Sequence, residues 1–128
     1  YKNQIAQIKK TGLSKTKQLS NIPIKKQFVA NQHYLYAIKS DAKSKRELLQ
    51  IDNAGNATSL MPIDAAITLN QATADHLIIT QLDICDQYRN SYGIYRYQLK
   101  TNKLEAITQC GRHPYAIELA DKQFIAVQ

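Results

Sequence analysis

The stretch Pro62–Thr80, PIDAAITLNQATADHLIIT, carries the pattern that decides the fold. A proline is followed by a short apolar segment, then by a polar break, and then by the run LIIT at Leu77–Thr80. This run does not alternate between apolar and polar residues, which is typical of a strand that is buried on both faces. The same order recurs at Pro23–Ile38, which ends in LYAI, and at Pro114–Val127, which ends in FIAV. The chain therefore contains an internal repeat.

A predicted hairpin with Gly, Asn or Lys-Thr turn residues precedes each copy of this pattern, at Ile5–Ile22, Leu48–Met61 and Tyr92–His113. The repeat unit is thus four short strands in about 40–50 residues, which indicates an all-β protein made of β-propeller blades. If the alignment holds, three prolines occupy equivalent positions, each entering an innermost strand. These are Pro23, Pro62 and Pro114.

The number of blades is the unusual feature of this prediction. Residues 1–22 supply half a blade, 23–61 and 62–113 one blade each, and 114–128 a second half. We therefore predict a partial β-propeller of repeated four-stranded antiparallel blades, about three blade-equivalents within one propeller domain. Propellers close with about 4–8 blades, so the rest of a longer chain or other chains should supply the remainder. The 128-residue fragment alone should expose strand edges and associate.

The segment Tyr92–Val127 resembles the TolB-like, WD-related propeller repeat of bacterial envelope proteins. The matching elements are Ile94–Leu99 (IYRYQL), Leu104–Thr108, Pro114 and Ile125–Val127. The family's "SPDG" turn is replaced here by Leu119–Lys122 (LADK). The resemblance implies a propeller, often periplasmic or secreted, that stands alone or is fused to a catalytic domain such as a peptidase. It does not imply a reaction.

Two cysteines, Cys85 and Cys110, follow the ends of two strands of one predicted blade, and both strands end on the same face of the propeller. A strand lies between them, which would separate in-strand residues by about 9–10 Å, too far for a disulfide. A long loop over Asp83–Ser91 would bring Cys85 across, so a disulfide and two separate thiols both remain open. His113 is near Cys110, but no CxxC spacing accompanies them, so we predict no metal site.

The sequence contains none of the common catalytic or phosphate-binding motifs. We therefore predict no catalytic residue and no cofactor in this chain. The predicted loop after the Leu77–Thr80 strand is a candidate binding loop, because loops at propeller faces usually carry binding residues. Its candidate residues are Asp83, Asp86, Tyr88 and Arg89. A solvated loop without a ligand is the alternative.

Charge is distributed unevenly along the chain. Residues 1–46 contain eleven Lys and Arg and one acidic residue, a balance of +10, whereas residues 47–128 have a balance of −3. Such a basic segment attracts polyanions, or it merely solvates loops and outer strands. The candidate polyanion patch comprises Lys9, Lys10, Lys25, Lys26, Lys43, Lys45 and Arg46. No apolar run approaches the ~20 residues of a membrane span, so we predict no transmembrane segment.

Three functions follow from these observations. The first is a non-catalytic propeller module that serves as an interaction scaffold for a protein or peptide partner in an envelope or secreted protein. The second is a propeller that accompanies a hydrolase, for example a peptidase, whose catalytic residues lie outside this chain. The third is a polyanion-binding module that uses the basic N-terminal half.

Overall fold

A computed structural model describes residues 6–8, 16–18, 24–39, 46–64, 66–86, 89–120 and 122–127. This part of the chain is all β and contains no helix, so none is present that could cross a membrane. The strands are β1 (Ala6–Ile8), β2 (Thr16–Gln18), β3 (Ile24–Ala30), β4 (Leu35–Lys39), β5 (Glu47–Ile51), β6 (Ala57–Pro62), β7 (Ile67–Ala72), β8 (His76–Asp86), β9 (Arg89–Gln98), β10 (Lys103–Gly111), β11 (Tyr115–Ala120) and β12 (Gln123–Val127).

These strands form antiparallel sheets in which sequence neighbours are also neighbours in space. The first sheet has the order β3-β4-β5-β6, the second β7-β8-β9-β10, and the third contains only β11-β12. β1 and β2 pair with each other as a separate hairpin. The prediction of four-stranded antiparallel sheets is therefore confirmed.

The largest core lies between the first and the second sheet. Tyr36, Ile38 and Leu48 project from the first sheet and meet Leu69, Leu77, Ile79 and Tyr97 of the second. All seven side chains are buried. Burial of a large apolar side chain stabilises a fold by about 1.5–3 kcal/mol, so this interface holds the two sheets face to face.

Both of these sheets are also covered on their other face, as the consecutive apolar runs predicted. In β4, Ala37 turns away from the main core and packs with Ile24, Leu49 and Ile51. In β8, Ile78 turns away and packs with Ile94 and with Ala116 of the third sheet. The runs LYAI and LIIT are thus buried on two faces, whereas β12, with the similar run FIAV, is covered on only one.

β3, β7 and β11, the first strands of the three sheets, lie next to one another, and side-chain amides join them. We call these first strands the innermost strands and the last strands, β6 and β10, the outermost strands. The Gln27 side chain in β3 donates a hydrogen bond to the Leu69 carbonyl in β7 and accepts one from the Leu69 N–H, at 2.9 Å. Gln71 in β7 repeats this exchange with Glu118 in β11, donating to its carbonyl at 3.0 Å and accepting from its N–H at 2.7 Å. One side-chain type thus links each innermost strand to the next.

Replacing Gln71 by Ala should detach the third sheet in part. The variant leaves the Glu118 N–H and carbonyl without these partners, and a lost hydrogen bond at a part-buried site costs about 1 kcal/mol, or more if the group stays unsatisfied. We expect a loss of about 1–3 kcal/mol in the free energy of unfolding, measured by urea denaturation. Gln98→Ala, at an exposed hydrogen bond, is the control and should change stability by less than about 0.5 kcal/mol.

The proline prediction is partly wrong. Pro114 directly precedes β11, as expected, but Pro62 ends the outermost strand β6 and pairs with Glu47. The innermost strand β7 begins only at Ile67, after an additional connection. Pro62 and Pro114 therefore occupy different positions in their repeats: Pro62 is the last residue of a strand, whereas Pro114 directly precedes one. Pro23 lies outside the described residues.

Alkaline pH should weaken the contact between the first two sheets. Burial raises the pKa of the Tyr97 phenol above its usual value of about 10. The folded protein thus keeps this proton at pH values where the unfolded chain releases it. The contribution of Tyr97 to stability is complete below about pH 10 and is lost as the pH rises through the folded pKa. Above pH 10, the melting temperature should fall more steeply for the wild type than for Tyr97→Phe; parallel profiles would contradict this.

Candidate functional site

A disulfide bond between Cys85 and Cys110 closes one end of the second sheet. Their Cα atoms are 5.8 Å apart, although β9 runs between β8 and β10. Two bulges account for this approach. The pairing of β8 with β9 shifts between Asp83 and Asp86, and that of β10 with β9 shifts between Thr108 and Gly111, so each cysteine lies in an irregular segment. Cys110 also has a positive φ of 56°.

The Asp83 carboxylate organises the residues beside this disulfide. Its Oδ2 accepts a hydrogen bond from the Cys110 N–H, and its Oδ1 accepts one from the Tyr95 hydroxyl, both at 3.2 Å. The Tyr95 ring reaches Asp83 by crossing Gly93, where a Cβ would lie 2.5 Å from the ring and 2.6 Å from the carboxylate. The glycine thus provides the space in which Tyr95 and Asp83 meet.

Replacing Gly93 by Ala should disrupt this arrangement. The new methyl group would overlap the buried Tyr95 ring and the Asp83 carboxylate, and overpacking of this kind costs about 1–3 kcal/mol. We expect that loss in urea denaturation, with a changed environment of the Tyr95 ring in NMR spectra. Gly111→Ala is the matched control, because its Cβ would approach no atom closer than 3.6 Å. Equal stability of the two variants would contradict the steric argument.

The predicted binding loop has a different structure from the one expected, and its binding role stays a prediction. Strands β8 and β9 extend to Asp86 and Arg89, so a long hairpin replaces the expected loop over Asp83–Ser91. Asp86 and Arg89 are backbone partners at the end of that hairpin. Asp83 lies in β8 and accepts hydrogen bonds beside the disulfide bond. Tyr88 lies outside the described residues. Strand β8 continues beyond the apolar run Leu77–Thr80 because backbone pairing with β9 does not require apolar side chains.

A metal site is not favoured by the geometry at this end. Ligand atoms of Asp83, Cys85 and Cys110 lie within 4.8 Å of one another. Both sulfur atoms, however, are joined in the disulfide. Zinc binds cysteine as the thiolate, so only the Asp83 carboxylate remains as a good ligand.

The structure describes only three of the seven residues of the candidate polyanion patch. Lys25 and Lys26 lie in β3, and Arg46 is half-buried directly before β5, where its carbonyl accepts a hydrogen bond from the Ile63 N–H at 2.9 Å. Lys9, Lys10, Lys43 and Lys45 lie outside the described residues. The patch therefore stays a prediction from the sequence.

A charged cluster that the sequence did not reveal joins the second and third sheets. The carboxylate of Glu118 in β11 contacts His76 Nε2 of β8 at 2.9 Å and also pairs with the guanidinium of Arg96 in β9. Their side chains are 13–18 % exposed. Glu118 thus pairs with two basic side chains of the neighbouring sheet. His76 therefore has a structural role.

The turns that follow β3 and β7 lie side by side at one end of the innermost strands. The Asn31 side chain accepts hydrogen bonds from the N–H groups of His33 and Tyr34, and it donates one to the Thr73 carbonyl at 2.9 Å. Between the two turns is a groove of about 370 Å³. We call it the turn-end groove; it is lined by Asn31, Gln32, His33, Ala72, Thr73 and Ala74. The sequence predicted these turns but not their proximity.

Comparison of the chain with protein-family models, with curated proteins and with solved structures finds no match.

Proposed function

We propose that this chain is a non-catalytic module of a TolB-like β-propeller that serves as an interaction scaffold in a bacterial envelope or secreted protein. The observation that carries the proposal is the succession of sheets. Each is a continuous piece of chain, each packs face to face on the next, and the innermost strands β3, β7 and β11 are neighbours joined by glutamine side chains. This is the arrangement that successive propeller blades require.

The disulfide supports the envelope or secreted part of the proposal. Disulfide bonds form and persist mainly in oxidising compartments such as the periplasm or the extracellular space. The bond between Cys85 and Cys110 joins β8 and β10 of one sheet and leaves both cysteines exposed. A reducing compartment would leave this end without its cross-link.

The turn-end groove is the place where a protein or peptide partner would bind. Loops at one end of the innermost strands lie at a propeller face, and rigid strands hold them in position. His33 and Ala74 are exposed there, and the groove offers both apolar surface and amide groups. A short peptide side chain fits a groove of about 370 Å³.

A photo-cross-linking experiment tests the scaffold function. A benzophenone amino acid at position 33 should form a covalent adduct with a partner from an envelope extract of the source cells. The same amino acid at Thr58, an exposed residue of β6, is the matched control and should form none. The partner identified in this way should then bind the purified chain, and Ala74→Arg should weaken that binding at least tenfold.

Equal cross-linking from positions 33 and 58, or an affinity that Ala74→Arg leaves unchanged, would contradict the proposed site. The hydrolase alternative places its catalytic residues elsewhere in the assembly, so it predicts a partner or attached segment with peptidase activity. The polyanion alternative predicts salt-dependent binding of heparin by the wild-type chain.

A further inference from the structure

The disulfide bond occupies two members of a set of three metal-binding groups. Ligand atoms of Asp83, Cys85 and Cys110 lie within 4.8 Å of one another, and no other such set of His, Cys, Asp or Glu is found among the residues that the structure describes. Three ligands of one tetrahedral zinc ion lie about 3.5–4 Å apart, because zinc bonds measure about 2.3 Å to sulfur and about 2.0–2.2 Å to oxygen. We call this set the disulfide end.

The carboxylate of this set is held in place by its neighbours. Its Oδ1 accepts a hydrogen bond from the Tyr95 hydroxyl and its Oδ2 one from the Cys110 N–H, both at 3.2 Å. The Gln109 side chain donates in turn to the Tyr95 hydroxyl, at 3.5 Å. Carboxylates that bind metals are oriented by hydrogen bonds of this kind. Each carboxylate oxygen keeps a further lone pair, so Asp83 can bind an ion without losing either bond.

Both cysteines are open to solvent and lie in irregular segments. Each is exposed, and each belongs to a stretch where the pairing with β9 shifts. A thiolate reagent therefore reaches the disulfide bond from solvent. After reduction, the exposed side chains have room to rotate apart until both sulfur atoms contact one ion.

We propose that the disulfide end is a redox-controlled zinc site, in which reduction frees Cys85 and Cys110 to bind one Zn²⁺ together with Asp83. A dithiol reductant supplies two electrons and two protons, so that its own sulfur atoms form a disulfide and the protein gains two thiols. Zn²⁺ then displaces both thiol protons, and water fills the fourth position. A disulfide oxidant takes the two electrons back, the bond between the cysteines forms again, and the ion leaves.

The ligand types favour zinc over other ions. Magnesium and calcium take oxygen ligands, and thiolates select softer ions such as Cu(I) and zinc. Of these, zinc also accepts a carboxylate in its tetrahedral sites. The ion would join β8 to β10, as the disulfide does, so this end of the second sheet would be cross-linked in both redox states. The inference does not depend on the scaffold function.

Titration of the reduced 128-residue chain with Co²⁺ tests the site, after the dithiol has been removed by gel filtration under nitrogen. Cobalt replaces zinc in such sites, and its bonds to thiolates absorb in the near ultraviolet. We expect one ion per chain, displacement of that ion by Zn²⁺, and no such absorption with the oxidised chain.

Three variants identify the ligands, with zinc dissociation constants measured against a chromophoric chelator. Asp83→Asn should raise the constant of the reduced chain at least about tenfold, and Tyr95→Phe, which leaves the carboxylate less firmly held, by about tenfold. Asp75→Asn is the matched control, because it removes an exposed carboxylate directly before β8, and it should leave the constant unchanged. Circular dichroism establishes that each variant is folded.

Thermal unfolding tests the site even where reduction loosens the fold. Zn²⁺ binds the folded reduced chain and should therefore restore at least half of the melting temperature that reduction removes. It should not change the melting temperature of the oxidised chain or of Cys85→Ser/Cys110→Ser.

Four results would each overturn the proposal: no thiolate–cobalt absorption in the reduced chain, equal binding by the oxidised chain, an affinity that Asp83→Asn leaves unchanged, or no thermal stabilisation by zinc. Cross-linking through position 33 does not involve this end of the sheet, so its outcome decides the scaffold function separately.

Discussion

The Tyr97→Ala variant should lose about 3–5 kcal/mol of unfolding free energy, because it removes a large side chain from the interface between the first and the second sheet. Tyr97 is 1 % exposed and packs with Tyr36, Leu48 and Leu77. Its hydroxyl also donates a hydrogen bond to Asn102 Oδ1 at 3.0 Å, in the turn between β9 and β10. Removal of the ring would leave a cavity in the interface between the two sheets. Urea denaturation measures the resulting loss of unfolding free energy.

Two further tyrosine variants separate packing from other effects. Tyr97→Phe keeps the ring and loses the hydroxyl, so we expect a loss of about 1 kcal/mol. Tyr34→Ala removes a ring that is 39 % exposed and should cost clearly less than Tyr97→Ala. If Tyr97→Ala were no more damaging than Tyr34→Ala, the two sheets would not pack as described.

Removing the disulfide should cost nearly as much. The Cys85→Ser/Cys110→Ser variant no longer constrains a loop with a sequence separation of 25, which in the chain-entropy model corresponds to about 3–4 kcal/mol. For a chain of this size the melting temperature should fall by about 10 °C or more. The polar surroundings, in which Asp83 holds the Cys110 N–H, should leave the serines without a large packing penalty.

Dithiothreitol treatment of the wild type is the control for this variant. Reduction should lower the melting temperature of the wild type by a similar amount and leave that of the double serine variant unchanged. Cys85→Ser alone should match the double variant, because either substitution opens the loop. Equal melting temperatures for the reduced and the oxidised wild type would show that the cross-link does not support the fold.

The all-β class and the order of strands could be predicted because local patterns determine them. The consecutive apolar runs LYAI and LIIT predicted strands that are covered on both faces, and the structure buries both faces of these two strands. Pro62 was misplaced because a proline tolerates several edge and connecting positions.

The candidate site could be predicted only in part, because it depends on geometry between strands. The sequence placed Cys85 and Cys110 at the ends of two strands on the same side of one blade, but it could not reveal the two bulges that bring them together. The glutamine links were invisible for the same reason. Gln27 and Gln71 look like ordinary polar strand residues until the neighbouring backbone is known.

Amide hydrogen exchange at Leu69 and Glu118 tests most directly the central claim, that the innermost strands of successive sheets are neighbours. Both N–H groups donate to a glutamine of the preceding innermost strand. We predict slow exchange at both in the wild type, faster exchange at Leu69 alone in Gln27→Ala, and faster exchange at Glu118 alone in Gln71→Ala. Fast exchange of both amides in the wild type, or no response to either substitution, would contradict the account.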